Sequence, residues 1–331
     1  MSKELLIEFI IAGVLSFVLT AILSHCIIPI LVAKKAGQPI RKEGPKSHMS
    51  KQGTPTMGGI AFIMSIAIVL TGLTLRYAIV SRQSELIPMA LTMALAVMNG
   101  MIGFVDDYRK LIKKDNEGLK PLQKFILQIV AAIVYVVLLK VLGHIDTELH
   151  IPYTDISVEL GVVYYIFAVI LIVGIVNSVN LTDGLDGLAS TVTIVVAVFF
   201  GVVALTHTNA SLGLISACTI GAMCGFLLYN HHPAKVFMGD TGSLFLGGIV
   251  VGCAFLIDDP MIIMIAGGIY VFETISDILQ VLRFKLFHKR MFKCAPFHHH
   301  LEQCGWSEVK VVSVFSIVTV ILCVAAWFGL R

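Results

Sequence analysis

An all-α polytopic membrane protein with about ten transmembrane helices is the fold class this sequence predicts, and three observations predict it. Apolar residues make up 57% of the 331 and charged residues only 14%. The apolar residues form stretches of about 20, the length that crosses a bilayer, separated by short polar links. Within the stretches they run unbroken, as in Leu171-Ile172-Val173-Gly174-Ile175-Val176, whereas a membrane β-barrel would alternate apolar and polar residues.

The first stretch, 5–32, is too long for the apolar region of a signal peptide and has no small-residue cleavage site after it, so it reads as a retained span. Further spans are predicted at 57–75, 86–104, 123–143, 160–178, 188–206, 211–229, 243–257, 261–282 and 309–329. Of the 24 Lys and Arg, 18 fall in three segments, Lys34 to Lys51, Arg109 to Lys124 and Arg283 to Lys310. Each of these follows an odd-numbered span, so the positive-inside rule puts them in the cytoplasm and both termini outside. The links rich in Asp, Asn, His or Gly (33–56, 104–124, 177–187, 230–242 and 283–308) share that side, which predicts one cytoplasm-facing site. On the other side, the alternation from His150 to Val158 predicts a small external β-hairpin. The seven cysteines lie mostly in apolar runs, where Cys behaves as a small hydrophobe, and imply no disulfide framework. With no repeat period and no low-complexity linker, residues 1–331 read as a single domain.

The most informative stretch is Asn177-Ser178-Val179-Asn180-Leu181-Thr182-Asp183-Gly184-Leu185-Asp186-Gly187, polar residues set between two spans. Asn177, Asn180, Asp183 and Asp186 recur every third residue, so a helix end tightening toward 3₁₀ geometry would align them along one edge. Such an edge suits a metal-bound, phosphate-bearing or hydroxyl-rich substrate. The third span ends in Phe104-Val105-Asp106-Asp107-Tyr108-Arg109-Lys110. Two adjacent acids at a helix C-terminus oppose the helix dipole, so a cation or proton transfer explains them better than solvation of a helix end. In Val236-Phe237-Met238-Gly239-Asp240-Thr241-Gly242-Ser243, glycines flank an acid where Ser243 can open a helix, an anion-binding geometry beside a metal-binding carboxylate. Turn residues and an N-cap are the plainer account of that loop, and Phe237 is equally an interfacial anchor or a platform for a base.

Between the last two spans lies Pro296-Phe297-His298-His299-His300-Leu301-Glu302. Consecutive imidazoles cannot all aim at one ion, and Cys294 and Cys304 around them match no standard zinc spacing. Phosphate binding beside Lys289, Arg290 and Lys293 suits them better. Gly53-Thr54-Pro55-Thr56-Met57-Gly58-Gly59 carries helix-start residues, with Lys51 before it as a phosphate or base contact. Glu273 and Asp277, one helical turn apart inside a span, are functional candidates, although pairing with Gln280 and Arg283 would also account for them. Acids at one membrane face, with no inverted repeat, favour an enzyme over a secondary transporter, whose acids sit near the midplane. The physics supports phosphoryl transfer, with carboxylates holding Mg²⁺ on a diphosphate and basic residues neutralising phosphate.

These five motifs, in order from residue 51 to 302, resemble the bacterial phospho-N-acetylmuramoyl-pentapeptide transferase family, within the polyprenyl-phosphate N-acetylhexosamine 1-phosphate transferases. The resemblance implies transfer of phospho-MurNAc-pentapeptide from UDP-MurNAc-pentapeptide to undecaprenyl phosphate, giving lipid I and UMP in the first membrane step of peptidoglycan synthesis. It also implies Mg²⁺, a homodimer, a place in the bacterial cytoplasmic membrane, and no nucleic acid among the partners. By motif position Asp240 is the implied Mg²⁺ ligand. Asp106 and Asp107 are the implied acidic pair, with Asp106 taking a proton from the lipid phosphate, and direct attack is favoured over an aspartyl intermediate. Gly184, Leu185, Asp186 and Phe237 match a uracil pocket, with Thr56, Asn180, Asp183 and Asn230 as polar neighbours. Lys51, Lys110, Lys124, Gln280 and His298, His299 and His300 match positions around the diphosphate and sugar. The nearest competing reading is a UDP-GlcNAc:polyprenyl-phosphate GlcNAc-1-phosphate transferase. Gly53 to Gly59 and the unbroken Pro296 to Glu302 motif resemble the muramoyl-peptide branch instead.

Overall fold

The computed structural model describes residues 3–34, 51, 53–79, 86–113 and 118–330, so most of the first basic segment, 35–50, lies outside the described residues. In chain order the helices are α1 (Lys3–Ala33), α2 (Gly59–Ile79), α3 (Leu86–Lys113), α4 (Pro121–Val141), α5 (Val162–Thr182), α6 (Leu188–His207), α7 (Ala210–Asn230), α8 (Gly239–Phe255), α9 (Ile263–Ala266), α10 (Gly268–Phe287), α11 (Phe297–Gln303) and α12 (Glu308–Gly329). Eight of them, α1 to α7 and α12, are long and apolar enough to cross a membrane. The predicted ninth span corresponds to Pro260–Ala266 with Gly268–Phe287, bent by 78° at its break, and the predicted eighth to the 17-residue α8. The chain is therefore a multi-pass helical membrane protein.

Four boundaries differ from the sequence reading, each for a local reason. The ninth span is not straight over 261–282: Pro260 opens a 3₁₀ turn, and the Gly267-Gly268 pair lets the axis swing before α10. Helix α3 continues to Lys113, because Tyr108 to Lys113 ends the apolar stretch without ending helix-forming sequence. Asp106 and Asp107 thus lie within the helix, and the argument from a C-terminal dipole does not apply to them. Helix α8 begins at Gly239, four residues before the predicted start, which places Asp240 in its first turn. Of the hairpin, only the flanks pair: β1 (Glu148–His150) runs antiparallel to β2 (Ser157–Glu159), with Leu149 opposite Val158, and the alternating residues between them form its loop. The short α11, which carries the three histidines, is too brief and polar to register in a hydropathy pattern.

What positions the site is α8. Every residue from Thr241 to Phe255 is buried, and α2, α3 and α5 close on it through small residues. A Cβ on Gly59 would overlap Gly242, one on Gly248 would overlap Ala96, and one on Gly103 would collide with the Asp240 carbonyl. These contacts bring the C-terminal turns of α3 and α5 against the N-terminus of α8. Asn209 caps α7 by accepting from the Leu212 amide at 3.0 Å, and Ser307 caps α12 by accepting from Lys310 at 3.3 Å.

Gly103→Ala should push α3 off the first turn of α8 and lower stability by about 1–3 kcal/mol, as overpacking does. Thermal unfolding in detergent checks this, and an unchanged midpoint would contradict the close approach.

Candidate active site

Three carboxylates from two helices meet at the α3–α8 junction. The ligand oxygens of Asp106, Asp107 and Asp240 lie within 4.8 Å of one another. The N-terminus of α8 does bind an anion, and that anion is Asp107: its Oδ2 accepts from the Thr241 amide at 2.9 Å and from Thr241 Oγ1 at 2.7 Å. Its Oδ1 is buried without a hydrogen-bond partner, with Lys110 Nζ 3.9 Å away. Asp106 Oδ1 accepts from the Leu119 amide at 2.7 Å, and its Oδ2 pairs with Lys110 Nζ at 2.6 Å. Asp240 Oδ2 receives Lys110 Nζ at 3.1 Å and Lys124 Nζ at 2.9 Å, while its Oδ1 accepts from Asn180 Nδ2 at 2.9 Å. The residues fit a hard divalent cation: three converging carboxylates, one with a buried oxygen left over, are the oxygen-rich donor set that Mg²⁺ prefers.

A second cluster forms beside the first, around Lys51. Its Nζ donates to Asp186 Oδ1 and Glu308 Oε2, each at 2.7 Å, and stands 6.0 Å from the centre of the Phe237 ring. Asp186 Oδ2 pairs with His232 Nδ1 at 3.0 Å and accepts from the Ala234 amide at 3.0 Å. Burial works against charge on Asp186, yet the Lys51 ammonium, the Ala234 amide and His232 hold its carboxyl below the usual range. Asp183, between the clusters, goes the other way: burial first, then the charges of Asp240, Asp107 and Asp186, push it well above that range.

The polar residues from Asn177 to Asp186 do not share one edge. Helix α5 stays α-helical through Thr182, and 183–187 form a turn, so each residue meets a different neighbour. Asn177 donates to Gln128 Oε1 at 2.7 Å, Asn180 reaches Asp240 and Ser243, and Asp186 reaches Lys51. Leu185 is buried, and Gly184 lies so close to His298 that a Cβ there would overlap the Nε2. Asn230 is occupied in holding its own loop, accepting from Ser190 Oγ at 2.8 Å and donating to the Val236 carbonyl at 3.0 Å. Thr56 is buried beside Gly239, and a Cβ on Gly239 would strike Thr56 Oγ1 and Asp107 Oδ2. The Phe237 backbone joins the 55–58 segment, donating to Pro55 O at 2.8 Å and accepting from Gly58 N at 2.9 Å.

The three histidines point apart. His298 is fully buried, with Nδ1 on Glu273 Oε2 at 3.0 Å and Nε2 without a partner. His299 Nδ1 meets Glu302 at 2.7 Å, and His300 Nδ1 accepts from the Lys293 amide at 3.2 Å. The pairing considered for Glu273 with Gln280 or Arg283 is replaced by the one with His298. Gln280 instead secures the 291–292 backbone, accepting from both amides at 2.9 Å and donating to the Phe292 carbonyl at 2.9 Å. Sequence reasoning missed Glu308, His232 and Thr241. Glu308 follows Ser307 at the start of a span, where an acid reads as ordinary helix-start chemistry. Nothing local marks it as a partner of Lys51.

Residues 88–258 match the family described as Glycosyl transferase family 4, and residues 51–63 match Phospho-N-acetylmuramoyl-pentapeptide-transferase signature 1. The chain is 44% identical to the phospho-N-acetylmuramoyl-pentapeptide-transferase of Clostridium botulinum (strain Eklund 17B / Type B) over 99% of its own length and 98% of that protein. It is 45% identical to the protein of the same description from Staphylococcus carnosus, over 97% of this chain and 99% of the relative. The corresponding figures for Alkaliphilus metalliredigens are 46%, 98% and 98%.

Removing one partner of the buried Glu273–His298 pair should cost about 3–5 kcal/mol, since the other is left uncompensated. A double-mutant cycle on Glu273→Ala and His298→Ala, read by thermal unfolding, should show strong coupling, and additive losses would mean the two do not interact.

Proposed function

The chain belongs to the phospho-N-acetylmuramoyl-pentapeptide-transferase family, and on that premise we propose that it transfers phospho-MurNAc-pentapeptide from UDP-MurNAc-pentapeptide to undecaprenyl phosphate, forming lipid I and releasing UMP. A single integral domain in the bacterial cytoplasmic membrane, working as a homodimer with its acidic cluster toward the cytoplasm, performs this step. The observation that carries the reading is the convergence of Asp106, Asp107 and Asp240 beside Lys110 and Lys124, with one oxygen of Asp107 buried and unsatisfied.

In the reaction, an oxygen of the lipid phosphate forms the new bond to the β-phosphorus. The bond from that phosphorus to the bridging oxygen breaks, and its electron pair leaves with UMP. Asp106 takes the proton of the lipid phosphate, exchanging Lys110 for its new partner. Lys110 and Lys124 supply N–H donors and positive charge to the diphosphate. Mg²⁺ held by Asp240, with Asp106 and Asp107 beside it, would neutralise the diphosphate and the charge developing on the leaving phosphate. Asn180 and Thr241 keep Asp240 and Asp107 in place.

The nucleotide base is assigned to Gly184, Leu185, Asp186 and Phe237, with Lys51 beside the ring and Thr56, Asp183 and Asn230 around it. Asp183, more readily protonated than an ordinary carboxyl, can donate a hydrogen bond to a base carbonyl. Asn230 and Gln280 contribute by fixing the loops that carry Phe237 and the histidines. His298, drawn inward by Glu273, anchors α11 and keeps its Nε2 beside Gly184, and His299 and His300 are assigned to the sugar and phosphate.

UMP release by purified protein given undecaprenyl phosphate tests the reading. It should occur with UDP-MurNAc-pentapeptide and Mg²⁺, fail with UDP-GlcNAc or with EDTA, and be abolished by Asp240→Ala. Release only from UDP-GlcNAc would keep the chemistry and overturn the donor. Asp106→Asn should lower kcat by about 10²–10⁴-fold, the usual contribution of a general base, and a normal rate across pH would end that role.

A further inference from the structure

At the opposite end of the helix bundle from the acidic cluster lies a cavity of about 380 Å³. The link after α4, the end of α6, the end of α8 and the hairpin strands line it. Helix α8, about 25 Å long at 1.5 Å per residue, separates the two regions: Asp240 stands in its first turn and Asp259 lies past its last. No residue assigned to the transferase site reaches this cavity. Its walls carry four carboxylates, Asp146, Glu148, Asp258 and Asp259, and two imidazoles, His150 and His207, and among the described residues no Lys or Arg lines it.

Two of these groups are buried and unsatisfied. Asp259 is 4% exposed, and neither Oδ1 nor Oδ2 has a hydrogen-bond partner. His150 is 9% exposed, and its Nδ1 likewise lacks one. A buried carboxylate without a donor costs far more than a solvated one and is ordinarily paired. Burial accordingly pushes the Asp259 carboxyl up to about 6, with His150 pulling the other way. The two unfilled Asp259 acceptors and the unpartnered His150 nitrogen belong to the lining of a space of the size that holds a small organic molecule.

We propose that this cavity is a binding site for a small organic cation bearing primary ammonium groups, with Asp259 as its principal anchor. The geometry favours an organic cation over a metal ion. Among the described residues, the groups of three or more ligands that converge within chelating distance are the two near the transferase site, and none is here. Acids spread over separate walls of a large cavity suit N–H donors that reach several acceptors from one flexible body. Asp146 approaches from the α4 side, and Asp258 and Asp259 from the end of α8, so a diamine can span them.

Calorimetric titration of the full chain in detergent with 1,4-diaminobutane, at a pH above the Asp259 value, tests this. Saturable one-to-one binding is expected, weakened about tenfold or more by Asp259→Asn, as loss of a buried charge partner requires. Asp146→Asn, at an exposed position whose change leaves the fold intact, should weaken binding about threefold while UMP release stays normal. Absence of saturable binding, or equal binding by the wild type and both variants, overturns the proposal. Asp259-dependent binding of Ca²⁺ in place of the diamine would make this a metal site and overturn the ligand class.

Discussion

Three carboxylates held within 4.8 Å of one another inside an apolar helical bundle are the constraint on which the rest of this structure depends. Left alone they would repel strongly, because the surroundings screen charge poorly. Compensation comes from three directions: the exposed amides at the start of α8, the ammoniums of Lys110 and Lys124, and the Asn180 carboxamide. Each compensating group also suits a phosphate-bearing substrate, so the electrostatics that make the cluster tolerable support the diphosphate chemistry proposed for it.

Such an arrangement requires backbones closer than ordinary side chains permit. Glycines at 59, 103, 242 and 248 remove the Cβ atoms that would keep α2 and α3 away from α8. Helix α8 is short and buried from Thr241 to Phe255, so it serves as a fixed post against which α3 and the end of α5 are set. The link between α10 and α11 returns the chain so that Glu273 meets His298 rather than a residue one turn along its own helix. That pairing ties the histidine-bearing α11 to the bundle. The Lys51–Asp186–Glu308 cluster likewise links residues far apart in the chain, joining the entry to α2, the α5–α6 turn and the start of α12.

The sequence by itself determined the membrane-spanning character, the approximate position of the long apolar helices, and which polar residues needed explaining. Hydropathy and residue type are local properties, readable wherever an acid interrupts an apolar stretch, and the acids at 106, 107, 240, 183 and 186 were found that way. Tertiary structure decided how those residues pair. The third-residue spacing from Asn177 to Asp186 suggested one edge, but the end of α5 at Thr182 sent them to separate neighbours. Glu308 joined Lys51, 257 residues away, and Glu273 chose His298 on another helix, because each outcome depends on which elements pack together, while His299 and His300 kept local partners in Glu302 and Lys293. The acidic cavity at the far end was invisible for the same reason: its walls come from three separate links and the helix ends beside them, none remarkable alone, and only packing brings their charges to one space.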